Sequence, residues 1–179
     1  MDRRRFVGGL LAVGGLAVLP SGLLKAGQRG DGHSLSVPSE KLERLQRDPE
    51  FWRDLVDEEA WRILFQERTE PAFSSPLDQF YEDGTYVCAA CHLPLFSSET
   101  KYDSGTGWPS FYDVIDGHVD TKPDFLLIFR RTEYHCIRCG GHQGHVFNDG
   151  PEPTGKRWCN NGLALRFVPA EESLPALRG

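Results

Sequence analysis

Two stretches decide how this chain reads: Tyr86-Val87-Cys88-Ala89-Ala90-Cys91-His92-Leu93-Pro94, and Tyr134-His135-Cys136-Ile137-Arg138-Cys139-Gly140-Gly141. In each, a strand-like pair of residues runs into C-x-x-C. Pro94 or Gly140-Gly141 follows, as a tight knuckle requires. Two such pairs set four thiolates at the corners of a tetrahedron, the arrangement zinc prefers. The gap from Cys91 to Cys136 is much longer than in common zinc-binding modules. Two other readings stay open on spacing alone. An exported chain closes such cysteines as disulfides, or one pair serves as a redox dithiol of the thioredoxin kind. The dithiol needs its first cysteine at a helix N-terminus, and Pro94 and Gly140-Gly141 are poor helix starts.

Outward from the knuckles the texture is β. Short runs rich in Tyr, Val, Phe, Ile and Leu alternate with Gly, Pro, Asp and Ser. The expected strands are 84–87, 111–115, 125–131, 133–136, 157–159 and 164–168. Their connections are too short for helical crossovers, so the pairing is antiparallel. Ahead of them, 39–66 has helical spacing in short pieces. Leu42 and Leu45 follow a Ser39 cap, Asp48-Pro49-Glu50 restarts a helix, and Asp57-Glu58-Glu59 opens another carrying Trp61, Leu64 and Phe65 on one face. Trp52 and Trp61 read as packing residues. A chain of 179 residues, 39% hydrophobic, has room for one domain with a real core, and 19 Gly with 12 Pro make it loop-rich. The domain is expected over 39–170, with a tail at 171–179.

The first thirty residues look like an address. Arg3-Arg4-Arg5 precedes an apolar, glycine-bearing run to Leu24, the plan of an export signal. Arg3-Arg4-Arg5-Phe6-Val7 resembles the twin-arginine motif. The reading is a signal at 1–30 and a linker at 31–38, placing the body in the periplasm; the alternative is an uncleaved inner-membrane anchor. Five of the 20 basic residues but only one of the 26 acidic ones lie in this segment. The body is therefore more acidic than the whole-chain net of −6, which argues against nucleic acid and anionic membrane as partners.

Cys159 is left over from the two pairs. A leftover cysteine in an exported chain is a reactive thiol or an intermolecular linker. Arg157 stands two residues earlier, on the same side of a regular strand, where a guanidinium lowers a thiol pKa. His142, His145 and Asn161 are close in sequence.

His142-Gln-Gly-His145-Val-Phe-Asn-Asp149-Gly-Pro-Glu-Pro-Thr-Gly-Lys-Arg157-Trp-Cys159-Asn-Asn161 resembles the signature of the B-type methionine sulfoxide reductases, and so does Lys101-Tyr-Asp-Ser-Gly-Thr-Gly-Trp108-Pro-Ser-Phe111. The likeness runs from about 39 to 167. It implies a mainly β fold of two antiparallel sheets with short N-terminal helices and one structural zinc held by Cys88, Cys91, Cys136 and Cys139. It implies reduction of methionine-R-sulfoxide, protein-bound or free. Carried over, Cys159 matches the nucleophile, which becomes a sulfenic acid. His142 and His145 match the active-site histidines that orient and supply protons, and Asn161 a residue that positions substrate. Trp108 matches the indole against the substrate methyl, with Arg157 and Phe111 beside it. Asp149 is read as an orienter of Arg157 or a histidine. His92, His118 and His135 are read as surface or structural residues.

Three positions depart from the family pattern. Thr106 stands where many members carry a resolving cysteine, Trp158 where Tyr is usual, and Asn160-Asn161-Gly162 where Ile-Asn-Ser is usual. With four cysteines committed to zinc, no resolving thiol remains, so an external thiol of thioredoxin or glutaredoxin type is the expected reductant. Two other classes predict different chemistry. A non-catalytic zinc module predicts an inert Cys159, and a thiol–disulfide oxidoreductase predicts no tightly held zinc.

Overall fold

A computed structural model describes residues 42–125 and 131–179. The chain divides into two units, Met1–Ser34 and Leu35–Gly179, and everything described belongs to the second. The export signal, the linker and the Ser39 cap lie outside the described residues.

Nine strands occur among the described residues: β1 (Gly84–Cys88), β2 (Pro94–Ser97), β3 (Lys101–Tyr102), β4 (Ser110–Phe111), β5 (Val119–Asp124), β6 (Arg131–Cys136), β7 (His142–Phe147), β8 (Arg157–Asn160) and β9 (Leu165–Pro169). They form a three-stranded sheet, β2-β1-β9, and a six-stranded sheet, β3-β4-β8-β7-β6-β5. The pairings within both sheets are antiparallel. The core fills the space between the sheets. Phe96 of β2 stacks on Phe111 of β4 at 4.1 Å between centroids, and Tyr86 of β1 meets Phe111 edge-on at 4.9 Å. Tyr134 of β6 sits edge-on to Trp158 of β8. Aromatic pairs in these geometries add attraction beyond the area they bury.

The helical preface is smaller than expected. Among the described residues one α-helix forms, α1 (Glu58–Gln66), with Glu58 and Glu59 favourably placed in its first turn. Ala60, Trp61, Ile63 and Leu64 are its buried side, and it packs on β7 and on the 3₁₀ turn Gly162–Ala164. Asp48 caps only a 3₁₀ turn, Pro49–Trp52. Residues 42–48 are not helical. The Leu45 amide instead donates to the Arg138 carbonyl across the molecule, which a helical amide cannot do. Trp52 is fully buried and stacks on Phe65.

Among the strands, 111–115 shrinks to the end of β4, because the Ile115 amide turns to the Leu95 carbonyl. The strand expected at 125–131 falls mostly on residues outside the described set; Asp124 ends β5 and Arg131 begins β6. Strands β2, β3, β5 and β7 were not expected. Strand β5 (Val-Asp-Thr-Lys-Pro-Asp) is a largely exposed edge strand, where Pro and charge are tolerated and no apolar alternation is needed. Residues 171–179 dock across both knuckles: the Arg178 amide donates to the Cys91 carbonyl at 3.0 Å, His92 Nδ1 lies 3.1 Å from the Ala176 carbonyl, and Arg138 donates to the Arg178 carbonyl.

Candidate active site and cysteine cluster

Register in the large sheet aligns one row of side chains across all six strands. Tyr102 pairs with Ser110, Ser110 with Cys159, Cys159 with His145, His145 with Glu133, and Glu133 with Lys122. Cross-strand partners share a face, so the row puts Cys159 between a hydroxyl and an imidazole. The alternate positions, Phe111, Trp158 and Tyr134, point the other way into the core. Phe111, expected beside the substrate, is fully buried on that opposite face and does not reach the site.

Strand alternation alone would send His142 and His145 to opposite faces, since they are three apart. A bulge corrects this: His135 pairs with His142 and Tyr134 with Gly144, leaving Gln143 as the extra residue. Both imidazoles then lie on the Cys159 face with centroids 5.6 Å apart. Gly144 is required by the close approach of β7 to β8, where a Cβ would fall on the Cys159 carbonyl. Each histidine has a buried carboxylate. His145 Nε2 is 2.8 Å from Asp124 Oδ2, which also takes Arg131 at 2.7 Å. His142 Nδ1 stands 2.9 Å from Glu133 Oε1, while Lys122 reaches Glu133 Oε2 at 3.3 Å. Burial pulls the His145 pKa below its ordinary value, against the pull of Asp124.

Arg157 shares the Cys159 face and is held by a two-pronged pair with Asp149, both contacts 2.9 Å. Its guanidinium also lies over the Phe147 ring. The expectation that Arg157 lowers the Cys159 pKa holds in direction but not in outcome. Burial pushes the thiol up and outweighs the lowering by Arg157 and by the Thr106 hydroxyl. Cys159 is a free, half-buried thiol whose pKa burial holds above its ordinary value.

Thr106 belongs to a hydroxyl cluster. Ser104 Oγ is 2.8 Å from Thr106 Oγ1 and 2.7 Å from Ser110 Oγ, and the Ser110 hydroxyl also donates to the Trp108 carbonyl. Trp108 Nε1 donates to the Glu70 carbonyl at 3.1 Å, fixing the indole at the rim. Asn161, expected to position substrate, does something else. Its Oδ1 accepts from the Glu70 amide and its Nδ2 donates to the Gln143 carbonyl, both in the interior. The Glu70 carboxylate in turn accepts from the Gly162 and Leu163 amides. Asn161 and Glu70 thus pin the segment under Trp108 to β7. Glu70, Glu133 and Asp124 had no motif to announce them, whereas Tyr102 and Ser110 lie inside the 101–111 stretch but were not singled out in it. The polar alternation Arg131, Glu133, His135 was the one signal that β6 carries a functional face. His92, His118 and His135 are structural rather than surface residues; all three are buried, and His118 Nδ1 lies 2.6 Å from the Pro94 carbonyl.

The other four cysteines gather at the two knuckles. Their sulfurs all lie within 4.8 Å of one another. Cys88 and Cys139 are 3.6 Å apart, Cys91 and Cys136 3.5 Å. Zinc–sulfur bonds of about 2.3 Å require a tetrahedral edge of about 3.8 Å, so the donor set and its size fit a metal ion. The two turns are built alike. Cys88 N donates to the Leu93 carbonyl and His92 N to the Cys88 carbonyl, matched by Cys136 N to Gly141 and Gly140 N to Cys136. His92 and Gly140 both take positive φ. The Gly141 amide and the Gln143 side chain point N–H groups at Cys139 and Cys88, as thiolate ligands accept.

Fold and site together define a two-sheet β protein with one thiol set among histidines and an arginine, and a separate cysteine cluster of metal-binding geometry. The SelR domain model matches residues 56–169. The chain is 52% identical over 124 residues to the peptide methionine sulfoxide reductase MsrB of Leptospira interrogans, covering 69% of this chain and 95% of that one. It is 49% identical over 129 residues to the protein of the same name from Methanosarcina barkeri, covering 72% and 91%. Mouse methionine-R-sulfoxide reductase B3 is 45% identical over 114 residues, covering 63% and 45%. The chain belongs to the B-type methionine sulfoxide reductase family and is an oxidoreductase.

Proposed function

We propose that the chain reduces methionine-R-sulfoxide, in proteins or free, to methionine through Cys159. The observation that carries this reading is the cross-strand row that seats Cys159 between Ser110 and His145, with Arg157 on the same face. The Cys159 sulfur attacks the sulfoxide sulfur. Two electrons pass to the substrate, which leaves as the thioether, and the oxygen stays on Cys159 as a sulfenic acid. The developing charge on the oxygen needs a proton, and His142 or His145 supplies it, each backed by a carboxylate. The proton that leaves the Cys159 thiol, whose resting pKa is raised, passes to that histidine and on to the sulfoxide oxygen, so one proton is moved and none is left over. Trp108 at the rim packs on the substrate methyl.

Recovery of Cys159 consumes two external thiols: one forms a mixed disulfide and releases water, and the second resolves it. Thr106 beside Cys159 offers no sulfur, so a thioredoxin- or glutaredoxin-type partner fits. Cys88, Cys91, Cys136 and Cys139 would hold a zinc ion, which would cross-link the two knuckles as a structural metal. The body acts in the periplasm after twin-arginine export, or faces it from an inner-membrane anchor. Treating the protein with one equivalent of methionine-R-sulfoxide without reductant tests the chemistry. A dimedone adduct confined to Cys159 is the expected product; an intramolecular disulfide at Cys159 contradicts the external-thiol step.

A further inference from the structure

Phe73 is the feature of the rim that the mechanism leaves unused. It is 72% exposed, as conspicuous as any large apolar side chain among the described residues. Its φ is +64°, a left-handed conformation that aromatic residues rarely take. Strain of this kind persists where neighbours enforce it, and it gathers at functional sites. The neighbours are on the page. The Phe73 amide donates to the Gly107 carbonyl at 2.7 Å, and the phenyl ring lies so close over Gly107 that a Cβ there would come within 2.8 Å of it. Three residues earlier, the Glu70 carbonyl takes the Trp108 indole N–H. Segment 70–73 is therefore fastened at two points to 107–108, between Thr106, which touches Cys159, and Trp108. The ring is held beside the reaction centre and turned outward.

Around Phe73 the chain is uncharged from Pro71 to Leu77, and Pro71, Ala72 and Ser74 are exposed with it. In an acidic chain this is an uncharged, exposed ledge, tied to the Trp108 segment by the Phe73–Gly107 and Trp108–Glu70 hydrogen bonds. A fixed, exposed aromatic is an efficient anchor because little of its freedom remains to be lost on contact. Free methionine sulfoxide ends at its own α-carbon and leaves such a ledge uncovered. A polypeptide continues past it.

We infer that Phe73 is a specificity-determining residue that takes an apolar side chain flanking the sulfoxide in an extended polypeptide substrate. This rests on the proposed sulfoxide reductase activity and specifies its substrate class. The test compares three substrates as their R-sulfoxides: free methionine sulfoxide, a blocked pentapeptide with leucine on both sides of the oxidised residue, and the same peptide with serine there. Wild type is expected to favour the leucine-flanked peptide through KM. Phe73→Ala should lose about tenfold in kcat/KM on that peptide, the order set by one lost apolar contact, and the leucine-over-serine preference should collapse. Phe73→Gly, which relieves the positive φ, should behave alike while folding at least as well, and Phe73→Tyr should restore the preference. Equal losses on all three substrates would overturn the inference, making Phe73 a prop for Trp108. An unaltered preference would overturn it too. Failure of wild type to reduce any of the three would instead sink the underlying activity, which the variants cannot mimic.

Discussion

Cys159 and Arg157 stand two apart on β8, and their chemistry is a contest between burial and charge. Burial wins at rest, so the thiol titrates above its ordinary value, with Arg157 holding it lower than burial alone would. Arg157→Leu removes that restraint. The midpoint of the pH profile for Cys159 alkylation should then move further up; an unmoved or lowered midpoint would contradict the electrostatic link. Asn161 carries a different expectation. Its side chain is spent on the Glu70 amide and the Gln143 carbonyl. Asn161→Ala leaves the buried Glu70 amide unpaired and takes one of two donors from the Gln143 carbonyl, which keeps the Asn161 backbone amide; it should cost about 1–3 kcal/mol of stability, read as a lower urea midpoint. Lost turnover with unchanged stability would return Asn161 to the reacting groups. At this scale the sequence was legible where a residue's chemistry is intrinsic: the odd cysteine, the histidine pair and the arginine two before the thiol. It misled where backbone polarity decides, since nothing in Asn160-Asn161-Gly162 says which amides the Asn161 side chain will meet.

Strands β6 and β7 show what a single extra residue does. Period-two alternation separates His142 from His145, and the bulge at Gln143 reunites them opposite Glu133 and His135. A bulge leaves no reliable mark in one sequence, which is why the strand went unseen while its two histidines were noticed. Pairing β5 to β6 brings Lys122 and Glu133 together, and β7 adds His142. Burial raises the Glu133 pKa, but His142 and Lys122 offset this and hold it below the ordinary glutamate value. A carboxyl depressed by folding contributes stability above its unfolded pKa and loses it as pH falls through the folded one. The stability gap between wild type and Glu133→Gln, measured by urea unfolding, should be widest near neutrality and narrow as pH falls through the carboxylate range. A gap independent of pH would contradict the ion-pair account.

For the molecule as a whole, the cysteine cluster ties the end of β1 to the end of β6, joining the two sheets far apart in sequence. The protein should carry one zinc per chain, and stripping it with a chelator should lower the unfolding temperature by about 10 °C or more, because metal binding free energy is folding free energy. Cys88→Ser should abolish the metal and Cys159→Ser should keep it; zinc loss from Cys159→Ser would merge two sites that the fold holds apart. The two C-x-x-C pairs made this legible, whereas the docking of 171–179 over both knuckles uses backbone groups of the tail, which meet the Cys91 carbonyl and the His92 and Arg138 side chains and leave no mark in a residue pattern. The most direct measurement is methionine formation from the separate R and S sulfoxides with dithiothreitol, for wild type and Cys159→Ser. Turnover of the R epimer alone, abolished in Cys159→Ser, is the expected result. Turnover surviving that substitution, or none on either epimer with zinc bound and the fold intact, would contradict the assignment of Cys159 as the reducing thiol.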